Sequence, residues 1–413
     1  MFKMICNIAR TELQMLFYSP VAWLILVVFG VQSGMLFADQ LAGLVSSQEM
    51  GYNIQGSTIS IFASRWGGVF TTMQNYLYFY IPLLTMSLVS KELSSGSIRL
   101  LYSSPITNTQ IIVGKFFSMM IYGLIMIGIL FLITLCSWAV VKDFELSMVL
   151  TGLLGLYLLI CAYAAIGIFM SSLTSYQIVA AIGTFAALTI LQVIGGVLQG
   201  GDFWRDITYW ICSGPHGPIA GLINSGDVLY YFLMPALFIG MSIMKLQFAR
   251  QSKPWYTKVV KYLALVVVIV WIGYATSRRT TVCITDLSRD EQLTLTPKSR
   301  DILERYKGQE LTLTTYVNIM DEHMAAKVFP KSRIGDMSVF SKYYRFKPDM
   351  KFKYIYYYDH VLNGHSCCAP GEDLEEAARK QAKVNGLDFD DVLSPEEIRK
   401  IHDLSGENNQ IVR

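Results

Sequence analysis

Long apolar runs alternate with short polar connections over the first two thirds of the chain. A helix needs about 20 mostly apolar residues to cross a bilayer core of roughly 30 Å, and only a helix satisfies its own backbone hydrogen bonds there. We predict transmembrane helices in seven segments, which are 21–38, 70–89, 111–141, 148–171, 178–198, 229–244 and 259–274. The sequence therefore predicts a polytopic α-helical membrane protein.

The 20 residues before the first span carry apolar side chains at a spacing near 3.6 residues. Lys3, Asn7, Arg10 and Gln14 lie between these apolar positions. This pattern predicts an interfacial amphipathic helix over residues 1–20. Pro20 favours a break before the first span, because proline cannot continue a helix interior. A simple extension of the first span is the alternative.

Beyond residue 277 the pattern changes to short strands and helices. Segments 311–317 and 351–358 are rich in β-branched and aromatic residues, which is typical of strands. Amphipathic helices are predicted over 297–307, 331–344 and 374–385. Strands that alternate with helices predict a parallel α/β domain over residues 277–413. The chain stops where another strand would begin, so we expect this domain to be incomplete.

Composition and charge agree with a membrane protein and suggest its orientation. The chain of 413 residues is 53% hydrophobic, 16% charged and has a net charge of only +3, which does not favour nucleic acid binding. With a cytoplasmic N-terminus, ten Lys and Arg residues lie in inside segments, against Arg65, Lys142 and Arg205 in the short outside loops. The positive-inside rule therefore predicts this orientation and an extracytoplasmic C-terminal domain.

A polar stretch between the second and third spans has an unusual arrangement. Glu92 follows the second span, Gly96 offers a turn, and Ile98, Leu100 and Leu101 form an apolar stripe. Thr107 can cap the next helix. On physical grounds this stretch is a docking surface for a cytoplasmic partner, or simply a well-folded loop.

The same stretch resembles the permease subunits of type-2 ABC exporters. The motif of that family is matched at Glu92, Gly96, Ser97, Leu100, Leu101, Ser104, Pro105, Ile106, Thr107, Gly114 and Lys115. The resemblance implies that loop 91–108 couples the chain to a separate cytoplasmic ABC ATPase, which would bind the ATP. It also implies a second permease subunit, in a homodimer or a heterodimer, and no cofactor in this chain. Residues 21–250 would form the six-span permease domain.

The region after residue 250 is similar to a second family. The seventh span at 259–276 and the segment from Ile284 to Leu303 resemble the start of GldG-like auxiliary domains of ABC transporters. The chain is thus identified as a GldF-like permease fused to the start of a GldG-like protein. This resemblance implies a multi-pass protein of the bacterial inner membrane, of the kind associated with gliding motility.

The sequence does not favour an enzyme. A P-loop needs a Ser or Thr after its Gly-Lys pair, whereas Phe116 follows Gly114 and Lys115. His365, Cys367 and Cys368 could ligate a metal, but a structural zinc site needs four ligands, and we expect none here. A membrane-anchored sensor or scaffold with an outer ligand-binding domain is the alternative function.

Overall fold

The computed structural model describes most of the chain. The described residues are 2–52, 56–64, 67–98, 106–141, 144–197, 222–250, 254–277, 284–286, 294–306, 309–321, 328–330, 339–347, 350–361 and 373–402. The chain divides into two compact units. One contains residues 1–192 and 210–292, and the other contains residues 193–209 and 293–413.

Helices dominate the first unit. In chain order they are α1 (Phe2–Tyr18), α2 (Pro20–Glu49), α3 (Ser57–Phe62), α4 (Val69–Thr85), α5 (Ser90–Ser95), α6 (Asn108–Val140), α7 (Leu146–Leu173), α8 (Gln177–Val197), α9 (Ser225–Arg250) and α10 (Trp255–Ser277). A short antiparallel pair joins β1 (Leu222–Asn224) to β2 (Ile284–Asp286). The predicted break before Pro20 is confirmed, since α1 ends at Tyr18 and Pro20 begins α2.

Five helices of the described chain are long and apolar enough to cross a membrane, namely α2, α6, α7 and parts of α9 and α10. The other two predicted spans correspond to α4 and to the shorter apolar helix Gln177–Val193 within α8, so the number of seven stays a prediction. Helix α4 has 17 residues and ends at Thr85, four residues before the predicted end. Helix α2 was predicted too short, because it continues through 30 residues to Glu49.

Helix α7 lies at the centre of the packing in the first unit. It is the most buried of the five candidate spans, whereas α10 is mostly exposed. Small residues allow the close contacts of α7, because a Cβ atom on Gly167 would lie only 2.6 Å from Cβ of Thr85 on α4. Gly123 of α6 likewise faces Ile160 of α7. The core of the unit thus forms where α4 and α6 pack on α7.

The second unit contains two parallel strands with helices. Strands β3 (Thr312–Asn318) and β4 (Lys351–Tyr357) pair in parallel from Thr312 with Lys351 to Asn318 with Tyr357. Its helices are α11 (Pro297–Arg305), α12 (Ser341–Phe346), α13 (Leu374–Asn385) and α14 (Pro395–Ile401). Both predicted strands and their parallel pairing are confirmed. The predicted helix over 331–344 is described only in part, and the location of this unit outside the cytoplasm stays a prediction.

Candidate functional site

Lys115 is buried in the first unit and joins three helices. Its Nζ atom lies 2.5 Å from Oε1 of Glu12 on α1 and 2.7 Å from Oε1 of Glu92 on α5. The exposed fractions of the three side chains are 1% for Lys115, 9% for Glu12 and 18% for Glu92. We call these residues the charged triad. It connects α1 and α5 to the second turn of α6.

The sequence of α1 explains how a carboxylate reaches this position. Ala9, Glu12 and Leu16 are the buried residues of α1, and their spacing of three and four places them on one face of the helix. Glu12 therefore belongs to the stripe that packs on the rest of the unit. The sequence-based prediction missed this residue, because it treated α1 as an apolar stripe with polar residues facing solvent.

Gly114 permits the close approach of α1 and α6. A Cβ atom at this position would lie 2.7 Å from Cγ2 of Ile8 and 3.3 Å from the backbone oxygen of Ile5. Such distances are too short for carbon atoms, so only glycine fits without displacing α1. Gly114 brings the backbones together, and Lys115 then bonds to the side chain of Glu12. The Gly-Lys pair thus has a packing role and an electrostatic role.

The charged triad contains two carboxylates and one ammonium group. Oε2 of Glu92 is buried and accepts no hydrogen bond from any residue that the structure describes. Burial raises the pKa of Glu92 above its ordinary value, and the nearby carboxylate of Glu12 acts in the same direction, whereas Lys115 opposes the shift. The group therefore holds its proton more tightly than a solvated glutamate does.

The turn between α4 and α5 is attached to α7 by Ser171. The Ser171 hydroxyl accepts hydrogen bonds from the backbone N–H of Val89 at 3.1 Å and of Ser90 at 3.0 Å. It also donates to the carbonyl of Met86 at 2.9 Å. The first N–H groups of a helix have no partner within that helix. Ser171 supplies that partner from another span, which fixes where α5 begins.

Helix α5 ends at a glycine, and α6 begins with a side-chain cap. Gly96 adopts the left-handed conformation, with φ of 73°, which is typical of a glycine after a helix. Thr107 accepts a hydrogen bond from the N–H of Gln110, and the Gln110 side chain accepts one from the N–H of Thr107. The prediction that Thr107 starts a helix is confirmed.

A cleft of about 380 Å³ opens beside the charged triad. Most of the residues that line it come from α1, α2, α4, α5 and the turn between α4 and α5, and α6 and α8 also contribute. All three residues of the charged triad are among them. Lys91 and Ser95 of α5 also line this cleft. A movement of α5 relative to the spans would therefore change the cleft and the triad together.

Comparison with known families gives a match over this region. The family model described as ABC-2 family transporter protein matches residues 6–202. Residues 6–202 form an ABC-2 transporter membrane domain. This domain contains all three residues of the charged triad and α5, and it is a transmembrane component rather than an enzyme. No curated protein sequence matches the chain.

The match ends before the later parts of the chain. It covers just under half of the 413 residues and includes neither α9 nor α10 nor the strands of the second unit. A multi-pass membrane protein with an ABC-2 domain is thus supported. The fusion of GldF-like and GldG-like parts stays a prediction.

Within the ABC-2 domain, the seven predicted coupling residues that the structure describes fall into three groups. Glu92 and Lys115 belong to the charged triad, and Gly114 packs beside it against α1. Gly96 and Ser97 form the turn after α5, where the Ser97 hydroxyl lies 2.9 Å from that of Ser95. Ile106 and Thr107 lie at the start of α6. Four predicted residues lie outside the described part of the chain: Leu100, Leu101, Ser104 and Pro105.

Two other predictions concern apolar docking and metal binding. Ile98, which belongs to the predicted apolar stripe, is buried and packs in the core of its own unit. Leu100 and Leu101, the other residues of that stripe, lie outside the described residues, so docking through the stripe stays a prediction. His365, Cys367 and Cys368 lie outside the described residues. Among the residues that are described, no cluster of three metal-binding side chains occurs.

Proposed function

We propose that the chain is the permease subunit of an ABC-2 transporter and that a separate cytoplasmic ATPase drives it through loop 91–108. The charged triad carries this proposal, because it ties the short helix α5 to α1 and α6 within the matched domain. A helix of six residues does not fold stably alone. Contacts with the spans therefore hold α5 in place.

The contacts of α5 are suited to transmitting a displacement. Lys115 holds Glu92 from the side of α6, and Ser171 holds the start of α5 from the side of α7. Hydrogen bonds with an ionised partner are shorter and stronger than neutral ones, so the bond between Lys115 and Glu92 is a firm connection. When the ATPase closes on ATP, a push on α5 would move α1, α6 and α7 as connected bodies.

The remaining parts of the proposal follow from the resemblance and the charge pattern. The N-terminus lies in the cytoplasm, the second unit lies outside it, and the protein resides in the bacterial inner membrane. Transport is export, through a pathway shared by two permease subunits. The second unit is the start of a GldG-like domain, which suggests a transporter of the gliding-motility type.

Co-purification with a purified ABC ATPase tests the proposal. Candidate ABC ATPases from the same genome would be co-expressed with the chain, and both complex formation and ATP hydrolysis would be measured in proteoliposomes. The variant Lys91→Glu/Ser94→Glu changes two exposed residues of α5. We expect this variant to lose the complex, because the added charges lie on the exposed face of α5, which a partner would contact.

The matched control is Ser46→Glu, which adds charge at the exposed end of α2. Gln40 of α2 lies beside Gly67, just before the start of α4, whereas α5 follows the other end of α4. The end of α2 is therefore separated from α5 by the length of α4. The control should keep the complex and its ATP hydrolysis. A complex that survives the α5 changes, or an ATPase that never binds the wild-type chain, would favour the sensor or scaffold function instead.

A further inference from the structure

A groove of about 470 Å³ lies between the ends of three helices, away from the charged triad. Its apolar wall contains Phe169 and Leu173 of α7, Phe248 of α9 and Tyr262 of α10. Two partly exposed lysines, Lys245 of α9 and Lys258 of α10, also line it. We call this feature the basic groove.

The positive charge of the basic groove is not neutralised within the described chain. Neither Lys245 nor Lys258 forms an ion pair with a described carboxylate. A third lysine, Lys261, lies 5.9 Å from the ring centroid of Phe248 and adds to the same charge. An occupant with a negative group and an apolar body would complement both the lysines and the aromatic wall.

The position of the groove within the membrane restricts that occupant further. Helices α9 and α10 both contain candidate membrane spans. Lys245 lies five residues before the end of α9, and Lys258 lies three residues after the start of α10. Lysines near helix ends place their ammonium groups at the level of the lipid headgroups. Met241 lies one turn further from the end of α9 than Lys245, and Tyr262 lies one turn further from the start of α10 than Lys258, so both are closer to the middle of their spans than the lysines are.

We propose that the basic groove binds an anionic phospholipid of the surrounding bilayer. The phosphate contacts Lys245 and Lys258, and an acyl chain packs against Met241 and Tyr262. Basic pockets between membrane helices are suited to acidic headgroups in this way. The bound lipid would join α10 to α7 and α9, which matters because α10 buries little surface against the rest of the chain.

Native mass spectrometry of the full chain in detergent tests this proposal. The probes are phosphatidylglycerol, which is anionic, and phosphatidylcholine, which has no net charge. The variant Lys245→Gln/Lys258→Gln removes both charges, and Lys383→Gln/Lys400→Gln is the control with two exposed lysines of the second unit. Each lysine near the headgroups strengthens anionic lipid binding by about fivefold, so the double variant should weaken phosphatidylglycerol binding by about 30-fold.

Binding should depend on the two groove lysines, on the negative charge of the lipid and on the free space in the groove. The control variant should bind phosphatidylglycerol like the wild type, and phosphatidylcholine binding should not change in either variant. Ala249→Phe keeps both lysines but places a ring in the groove, and it should also weaken phosphatidylglycerol binding. Inorganic phosphate should not compete, because it makes no contact with the apolar wall.

Three results would overturn the proposal. One is unchanged phosphatidylglycerol binding in the Lys245→Gln/Lys258→Gln variant, provided that the variant elutes as a folded protein. Another is an equal loss in the control, which would show general surface attraction instead of a site. The third is full competition by inorganic phosphate, which would indicate an anion site without a lipid chain.

Discussion

Replacing Lys115 with methionine is the sharpest test of the charged triad. The change Lys115→Met keeps a long unbranched side chain in place but removes the ammonium group. Glu12 and Glu92 would then remain buried with no cation between them. Removal of one partner from a buried ion pair costs about 3–5 kcal/mol, because it leaves uncompensated charge out of water.

The expected loss can be measured as a shift in Tm of the purified protein in detergent. For a unit of this size, about 1 kcal/mol corresponds to roughly 2–4 °C, so the variant should unfold about 6–20 °C below the wild type. Intrinsic tryptophan fluorescence during heating reports unfolding of the first unit, where Trp23 and Trp138 lie.

Two further variants separate the charge from other effects of the change. Lys91→Met removes an exposed lysine of α5, and it should shift Tm by no more than a small amount. The triple variant Glu12→Gln/Glu92→Gln/Lys115→Met has no net buried charge, and it should recover most of the loss. A triple variant as unstable as Lys115→Met, or a stable Lys115→Met protein, would refute the electrostatic reasoning.

The excess negative charge of the triad also predicts a pH dependence. Burial raises the pKa of Glu92 above its ordinary value of 4.5, so the folded chain binds this proton more tightly than the unfolded chain. The stabilisation from that proton is complete below the ordinary pKa and is lost as pH rises through the folded pKa. Lowering the pH from about 7 to about 5 should therefore raise Tm more in the wild type than in Glu92→Gln. Parallel pH profiles would contradict this assignment.

Two other substitutions test how α1 and α5 are held. Gly114→Ala should lower Tm, because its Cβ would lie 2.7 Å from Ile8 and such overpacking costs about 1–3 kcal/mol. Gly128→Ala, on the same helix, is the control: its Cβ would meet nothing within 4 Å, so Tm should not fall. Ser171→Ala should cost about 1–3 kcal/mol by leaving two backbone N–H groups without an acceptor. Ser172→Ala removes only a hydrogen bond within α7 and should cost less in the same unfolding measurement.

Sequence patterns predicted the helix ends and strands that are determined by residues close together in the chain. Pro20 marks the break after α1, and Thr107 caps α6 through its neighbour Gln110. The two strands of the second unit follow from β-branched and aromatic residues. Each of these features depends on residues a few positions apart, which is the range in which helix caps and strand patterns operate.

The sequence patterns did not predict features that depend on contacts between residues far apart in the chain. Helix α4 ends at Thr85 instead of continuing to Val89, and Ser171, more than 80 residues later, holds that turn. Glu12 was not predicted as part of the site, because its partner Lys115 lies 103 residues away. The position of Glu12 between Ala9 and Leu16, on the same face of α1, could have indicated that Glu12 is buried. A charged residue on an apolar stripe predicts a buried partner of opposite charge.

The charged triad gives a physical reason why a Gly-Lys pair belongs near the start of α6. Glycine alone would bring α1 close but would leave α5 without an ionic connection to α6. Lysine alone could not reach Glu12 if a larger residue at position 114 displaced α1. Because an apolar triad of the same shape could be equally stable, stability does not by itself account for buried charge here. The charges instead give α5 a fixed, directional connection to two other helices, which is what a coupling element requires.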